Sequence, residues 1–393
     1  MPDFKPFRAL RPHKDYAGKV SARSSDFSDQ HLLVEAMKAN PHTFHHVTKN
    51  HLNYSGAFQE PEKFLPFAAK FIELQKEKGV LVKEQEDAFY IYRQTRKDGR
   101  TFKGLIGLSN VEDYSLDRIK RHEEIRPSRL GFMVELCKTT KVLGEPTLLT
   151  FKQHRPIELG QGEQIYDFTS IDGKRHIIER MTDELKIQEI RDFLMEVECF
   201  YLADGHHRSA AIASFHNQFP QLDNAYCLSL LMEEDELDIS AFHRLIRPVV
   251  SIPTSELLEK LSRDFDISKS ESAVFDPVNK GEFGLFDGKD WYRLVLKYHD
   301  HMMDVELLEK YVVHSIYNIR DSRTDSQISF YPQRQGVERM EEIVKEGTFD
   351  VVYTLAACQF SEIREISDRH ETLPPKSTFI EPKLRSGLII QEF

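Results

Sequence analysis

Hydrophobic positions along this chain recur with two periods, and each switch between them marks an element. SDFSDQHLLVEAMKANP reads as a capped helix that Pro41 stops. In PEKFLPFAAKFIELQKEKG, residues Phe64, Phe67, Phe71 and Leu74 fall at helical spacing and are expected to pack into the core, with Gly79 as the stop. VLVKEQEDAFYIYRQTR and TFKGLIGLS predict a strand pair joined at KDGR. Ser128 is expected to cap a helix running to about Lys141. EPTLLTFK and QIYDFTSIDGKRHIIERM are strand material with an IDGK turn, and Thr182 should cap the helix of TDELKIQEIRDFLMEV.

CFYLADGHHRSAAIASF breaks the pattern, because its apolar run meets Asp204, Gly205, His206, His207 and Arg208 before a helix begins. Strands are expected in AYCLSLLM and ISAFHRLIRPVV, the second with His243 and Arg244 on opposite faces. Beyond about Ile252 the pattern restarts: a helix, the hairpin GEFGLFDGKDWYRLVLKYH, another helix, then helix, strand and helix. These elements predict an α+β (mixed α/β) fold with domains 1–252 and 253–393 and a soft boundary between them.

Composition adds constraints. The 393 residues suffice for two domains, and 40% hydrophobic with 30% charged residues is ordinary for an enzyme. The net charge of -11 disfavours a broad nucleic-acid or anionic-membrane surface, which needs basic residues. A small anion needs only one positive pocket. Cys137, Cys199, Cys227 and Cys358 form no CxxC pair and are expected to be reduced, buried thiols. No apolar run approaches the ~18 residues of a membrane span, and the N-terminus lacks a signal-peptide core, so a cytoplasmic location is expected.

The DGHHR stretch carries the most chemistry. A strand ending near Ala203 and a helix starting near His207 would leave backbone N–H groups facing outward, an anion site. Gly205 allows close approach and a positive φ, and Arg208 offers a fork matched to phosphate. His206 and His207 can donate hydrogen bonds or move protons. Asp204 can cap the helix, accept a hydroxyl proton or hold Mg²⁺. A metal site and a plain capped turn compete with the phosphate reading.

Other clusters are less specific. IKRHEEIRP holds Lys120, Arg121, His122, Glu123, Glu124 and Arg126, either a solvated charge cluster or a source of acid and base in His122 and Glu123. Arg244, if buried, must find an anion from a side chain or a ligand. Lys376, Ser377, Thr378 and Lys383 in PPKSTFIEPKLRSGL have phosphate-loop chemistry without the glycine spacing of a P-loop.

Taken together and in order, PFRALRP, NPHTFHHVTK, YSLDRIKRHEEIRPSR, YLADGHHRSAA, FHRLI and LPPKSTFIEPKLRSGL resemble domain-of-unknown-function family 1015 nearly end to end. That resemblance implies a ParB/sulfiredoxin-like nucleotide-binding core with a second, smaller α+β unit. It implies phosphate binding by Gly205, His206, His207 and Arg208. Asp204 would match the catalytic acid of free-serine kinases, with Glu123 and His122 as further acid–base candidates. His243, Arg244, Lys376, Ser377 and Thr378 would serve the substrate or support the site. The implied activity is a nucleotide-dependent phosphotransferase interconverting L-serine and O-phosphoserine, with ADP or ATP and Mg²⁺, the ion on Asp204. A ParB-type nucleotide switch and a phosphoserine phosphatase stay open. Sulfiredoxin chemistry is excluded, because His206 stands where its cysteine would be. The chain departs from the family at SARSSDFSD, residues 21–29, and at FIE, residues 379–381.

Overall fold

A computed structural model describes residues 1–393 except 24–25, 28, 54–59, 126, 153–154, 223, 271–274, 299–300, 323 and 375. The fold is mixed α+β, in two compact units: Met1–Leu237 with Pro382–Phe393, and Asp238–Glu381. The division falls ahead of residue 252. The segment from Pro382 onward, assigned by the sequence pattern to the second domain, belongs with the first unit.

The first unit is built on a sheet of nine strands among the described residues. They are β1 (Phe4–Lys5), β2 (Phe89–Thr95), β3 (Thr101–Asn110), β4 (Ile119–Lys120), β5 (Thr147–Phe151), β6 (Glu163–Thr169), β7 (Arg175–Met181), β8 (Phe200–Asp204) and β9 (Tyr226–Glu233). The order is β4-β8-β5-β9-β3-β2-β7-β6, with β1 against β3. The sheet is mixed: β9 runs parallel to β5 and antiparallel to β3. Consecutive buried residues in β5 and β8 show that both faces of the sheet's middle are covered, which is why those strands read as continuous apolar runs.

Helices α1 (Gln30–Ala39), α2 (Leu65–Glu77), α3 (Pro127–Thr140), α4 (Glu184–Leu194) and α5 (His206–Gln218) belong to the same unit. Ile190, Phe193 and Leu194 of α4 pack on Phe4, Phe151, Phe200 and Leu202. Two expectations need correction. The α4 cap is Asp183, whose carboxylate accepts from Lys186 N at 3.1 Å, since the helix starts one residue later than Thr182 would require. On α2 the buried stripe is Leu65, Ala68 and Ile72; Phe67 and Leu74 are exposed, because the core lies on the neighbouring face of the helix.

The second unit has a six-stranded sheet of β10 (Phe242–Ile246), β11 (Phe265–Lys269), β12 (Glu282–Phe286), β13 (Trp291–Leu296), β14 (Ile328–Pro332) and β15 (Val351–Leu355), in the order β11-β13-β12-β15-β10-β14. Helices α6 (Thr254–Leu261), α7 (Asp304–Leu308), α8 (Val337–Lys345) and α9 (Phe360–Asp368) accompany it. The expected strand ISAFHRLIRPVV splits in two: Asp238–Ser240 pairs with Phe379–Glu381, while β10 joins the larger sheet. His243 and Arg244, adjacent on β10 and therefore on opposite faces, are both fully buried, because β10 is covered on both faces. Among the described residues no helix is long and apolar enough to cross a membrane.

Candidate functional site

The apolar residues of β8 enter the sheet and stop at Asp204. Gly205 then turns the chain with φ +95° and serves as N-cap of α5, which begins at His206. Two facts require glycine here. The left-handed φ strains any side chain. A Cβ would also lie 2.8 Å from Arg208 Nη2 and 3.1 Å from Thr147 Cγ2. With glycine as the cap, no side chain closes the end of the helix. The positive end of its macrodipole is therefore left without a side-chain cap.

A charged network surrounds the turn. Arg208 Nη2 donates to Asp204 Oδ2 at 3.0 Å, and Lys383 Nζ donates to Asp204 Oδ1 at 2.8 Å. Arg208 Nη1 also pairs with Glu145, whose other oxygen accepts from Ser386 Oγ at 2.9 Å. Burial lowers the Arg208 guanidinium to about 10, so it keeps its charge at neutral pH. The carboxylates stay accessible, at 33% for Asp204 and 36% for Glu145. Two cations thus meet two carboxylates that water can reach.

Magnesium fits Asp204 poorly. Both of its oxygens already accept from cations, and an ion there would have to displace an ammonium or a guanidinium.

On the other side of the turn, β4 runs parallel to β8 with Ile119 beside Phe200 and Lys120 beside Tyr201. The two strands therefore exit side by side, bringing His122 and Glu123 to His206. The His122 and His206 rings meet edge to face, centroids 4.6 Å apart, and Glu123 Oε2 lies 3.4 Å from His206 Nδ1. Both histidines are buried, and burial lowers each to about 3. So IKRHEEIRP is not a solvated patch throughout: His122 is sealed while Glu124 is exposed, and Arg126 lies outside the described residues.

The remaining candidates belong to the second unit. Arg244 Nε lies 3.6 Å from Glu309, and its Nη1 donates to the carbonyls of Phe242 at 2.6 Å and Lys376 at 3.4 Å. His243 Nδ1 accepts from Leu355 N at 3.4 Å, and its Nε2 lies 3.8 Å from Asp276. Ser377 Oγ donates to Pro374 O at 2.6 Å, Lys376 is exposed at φ +55°, and Thr378 is half-buried. Of the divergent segment 21–29, Ser21 and Asp26 hold Arg385, Asp26 Oδ1 at 3.0 Å, while Ser24, Ser25 and Ser28 lie outside the described residues.

Sequence reasoning did not single out Glu145. It sits between Gly144 and Pro146, far from the DGHHR motif in the chain, and only the pairing of β5 with β8 brings it close. No disulfide forms among the described residues; Cys137 and Cys227 are buried, whereas Cys199 and Cys358, expected to be buried as well, are half-buried.

A family model described as Protein of unknown function (DUF1015) matches residues 4–328. No curated protein matches the sequence at a significant level. Among solved structures, the chain is similar to a free serine kinase in complex with AMP, with 14% identity, 74% of this chain and 90% of that chain covered, and a TM-score of 0.37. It is also similar to SbnI with C-terminal truncation from Staphylococcus aureus, at 16% identity, 70% and 82% coverage and a TM-score of 0.39. A conserved hypothetical protein from Pyrococcus furiosus shows 14% identity, 72% and 95% coverage and a TM-score of 0.36.

Proposed function

The chain belongs to the DUF1015 family of proteins of unknown function, and on that premise we propose that it is a nucleotide-dependent phosphotransferase interconverting L-serine and O-phosphoserine. One observation carries the reading: a buried strand ends in Asp204, passes through a left-handed glycine and starts a helix whose end no side chain closes. Phosphate is the ligand that such a helix end favours. L-serine and the nucleotide come from the motif resemblance to free-serine kinases.

In this reading the nucleotide phosphates meet the backbone of Gly205, His206 and His207, and Arg208 exchanges Glu145 for a phosphate oxygen. Such an exchange is inexpensive because Glu145 can rehydrate and keeps Ser386. Phosphoryl transfer needs mainly positioning and charge stabilisation, which Arg208 and Lys383 supply. Asp204 orients the serine hydroxyl and accepts its proton. Glu123, 45% exposed, is the alternative acceptor. His122, sealed behind His206, acts as a positioning residue. Magnesium would arrive with the phosphates of ADP or ATP and not through Asp204.

The test is a phosphorus NMR assay of L-serine with ADP or ATP, and of O-phosphoserine with and without ADP. New phosphoserine, or loss of phosphoserine only when ADP is present, supports the transferase. Release of phosphate from phosphoserine alone marks a phosphatase. Nucleotide hydrolysis indifferent to serine marks a ParB-type switch. Asp204→Asn should lower turnover more than nucleotide affinity.

A further inference from the structure

Among the described residues, three ring nitrogens beside the turn have no hydrogen-bond partner: Nδ1 and Nε2 of His122, and Nε2 of His206. A buried polar atom left in that state costs about 1–3 kcal/mol, so three in one place call for a physical reason. The rings are almost sealed, at 1% and 3% exposure. One ligand atom each from His122, Glu123 and His206 lies within 4.8 Å of the others. Edge-to-face packing accounts for the closeness of the rings but leaves these three nitrogens unpaired.

We propose that His122, Glu123 and His206 bind a divalent first-row transition ion through two imidazoles and one carboxylate. Bonds of about 2.0–2.1 Å place tetrahedral ligand atoms about 3.3 Å apart, so side-chain rotations of about 1 Å close the set. Two nitrogens among three donors select zinc, iron or a neighbouring metal over Mg²⁺, a hard ion that seeks oxygen. Three protein ligands leave a position open to water or to a phosphate oxygen. This goes beyond the phosphotransferase reading, because it stands on these three side chains whatever molecule occupies the adjoining turn. With the ion bound, Glu123 is a ligand and Asp204 alone accepts the proton.

The full chain, stripped with a chelator and dialysed, is titrated with ZnCl₂ by calorimetry, with MgCl₂ as control; CoCl₂ provides a visible spectrum. The expected result is a single saturable Zn²⁺ site per chain, a Co²⁺ spectrum of mixed nitrogen and oxygen ligation, and no comparable heat with Mg²⁺. Glu123→Gln and His122→Gln, which keep side-chain volume, should each weaken Zn²⁺ by at least about 100-fold. Circular dichroism verifies that the variants fold. No Zn²⁺ heat in the wild type, or the same Zn²⁺ affinity in folded variants, overturns the proposal. AMP or ADP binding by the stripped protein is measured separately, so failure of the metal site and failure of the nucleotide reading give different results.

Discussion

Each unit buries an arginine beside a carboxylate, yet the two settings differ in one respect. Arg244 and Glu309 are both closed off, at 0% and 6% side-chain exposure. Arg208 is nearly as buried at 10%, but its partners Asp204 and Glu145 stand a third open. A sealed pair gives up hydration on both sides and cannot change partners without breaking the core. An open carboxylate can be replaced by another anion, because water takes the displaced group. Similar chemistry therefore serves structure around Arg244 and is suited to ligand exchange around Arg208.

Substitution should separate the two arginines most sharply. Arg208→Ala is expected to lower phosphoryl transfer on the order of 10³-fold or more while leaving the urea midpoint almost unchanged, since Asp204 keeps Lys383, Glu145 keeps Ser386 and both carboxylates can hydrate. Arg244→Ala should instead cost about 3–5 kcal/mol of stability, because it strands Glu309 in the core. A small midpoint shift for Arg244 would erase the contrast. Gly205→Ala is expected to cost about 1–3 kcal/mol from its φ, and to weaken nucleotide binding as the new methyl pushes Arg208 aside. Unchanged stability and affinity would show that the turn does not need glycine.

The smallest expected effect is a pH dependence in the second unit. Burial, aided by the neighbouring Arg244, lowers His243 to about 3 from 6.5, with Asp276 the nearest carboxylate. Below pH 6.5 the unfolded chain takes up a proton that the folded His243 refuses until about pH 3. Stability should fall across that window by up to about 1.4 kcal/mol per pH unit. Denaturant midpoints of wild type and His243→Asn, compared at pH 7.5 and 5.5, should diverge with the wild type losing more. Parallel losses would mean that His243 does not carry the effect.

Most elements were legible from periodicity, because the strand pairs at KDGR and IDGK and the helices after residue 252 depend on local pattern and turn chemistry. The strand–glycine–helix junction at Asp204 was legible for the same reason. What local pattern could not supply was that the sheet is covered on both faces, which buries His243 and Arg244 together although they point to opposite sides, nor which flank of α2 meets the core, which leaves Phe67 outside. Nor could it reveal Glu145 beside Arg208 or His122 beside His206. Each meeting depends on a strand pairing between segments far apart in the chain. The path of Pro382–Phe393 back to the first unit was hidden too, since no composition change announces it.

Lys383 reaches Asp204 from 179 positions further along the chain. While the polypeptide is being made, Asp204 must therefore wait without its ammonium partner until all of the second unit has been synthesised. Translation alone would thus delay completion of the charged turn, and a break within residues 238–381 would remove the covalent link to the lysine that finishes it.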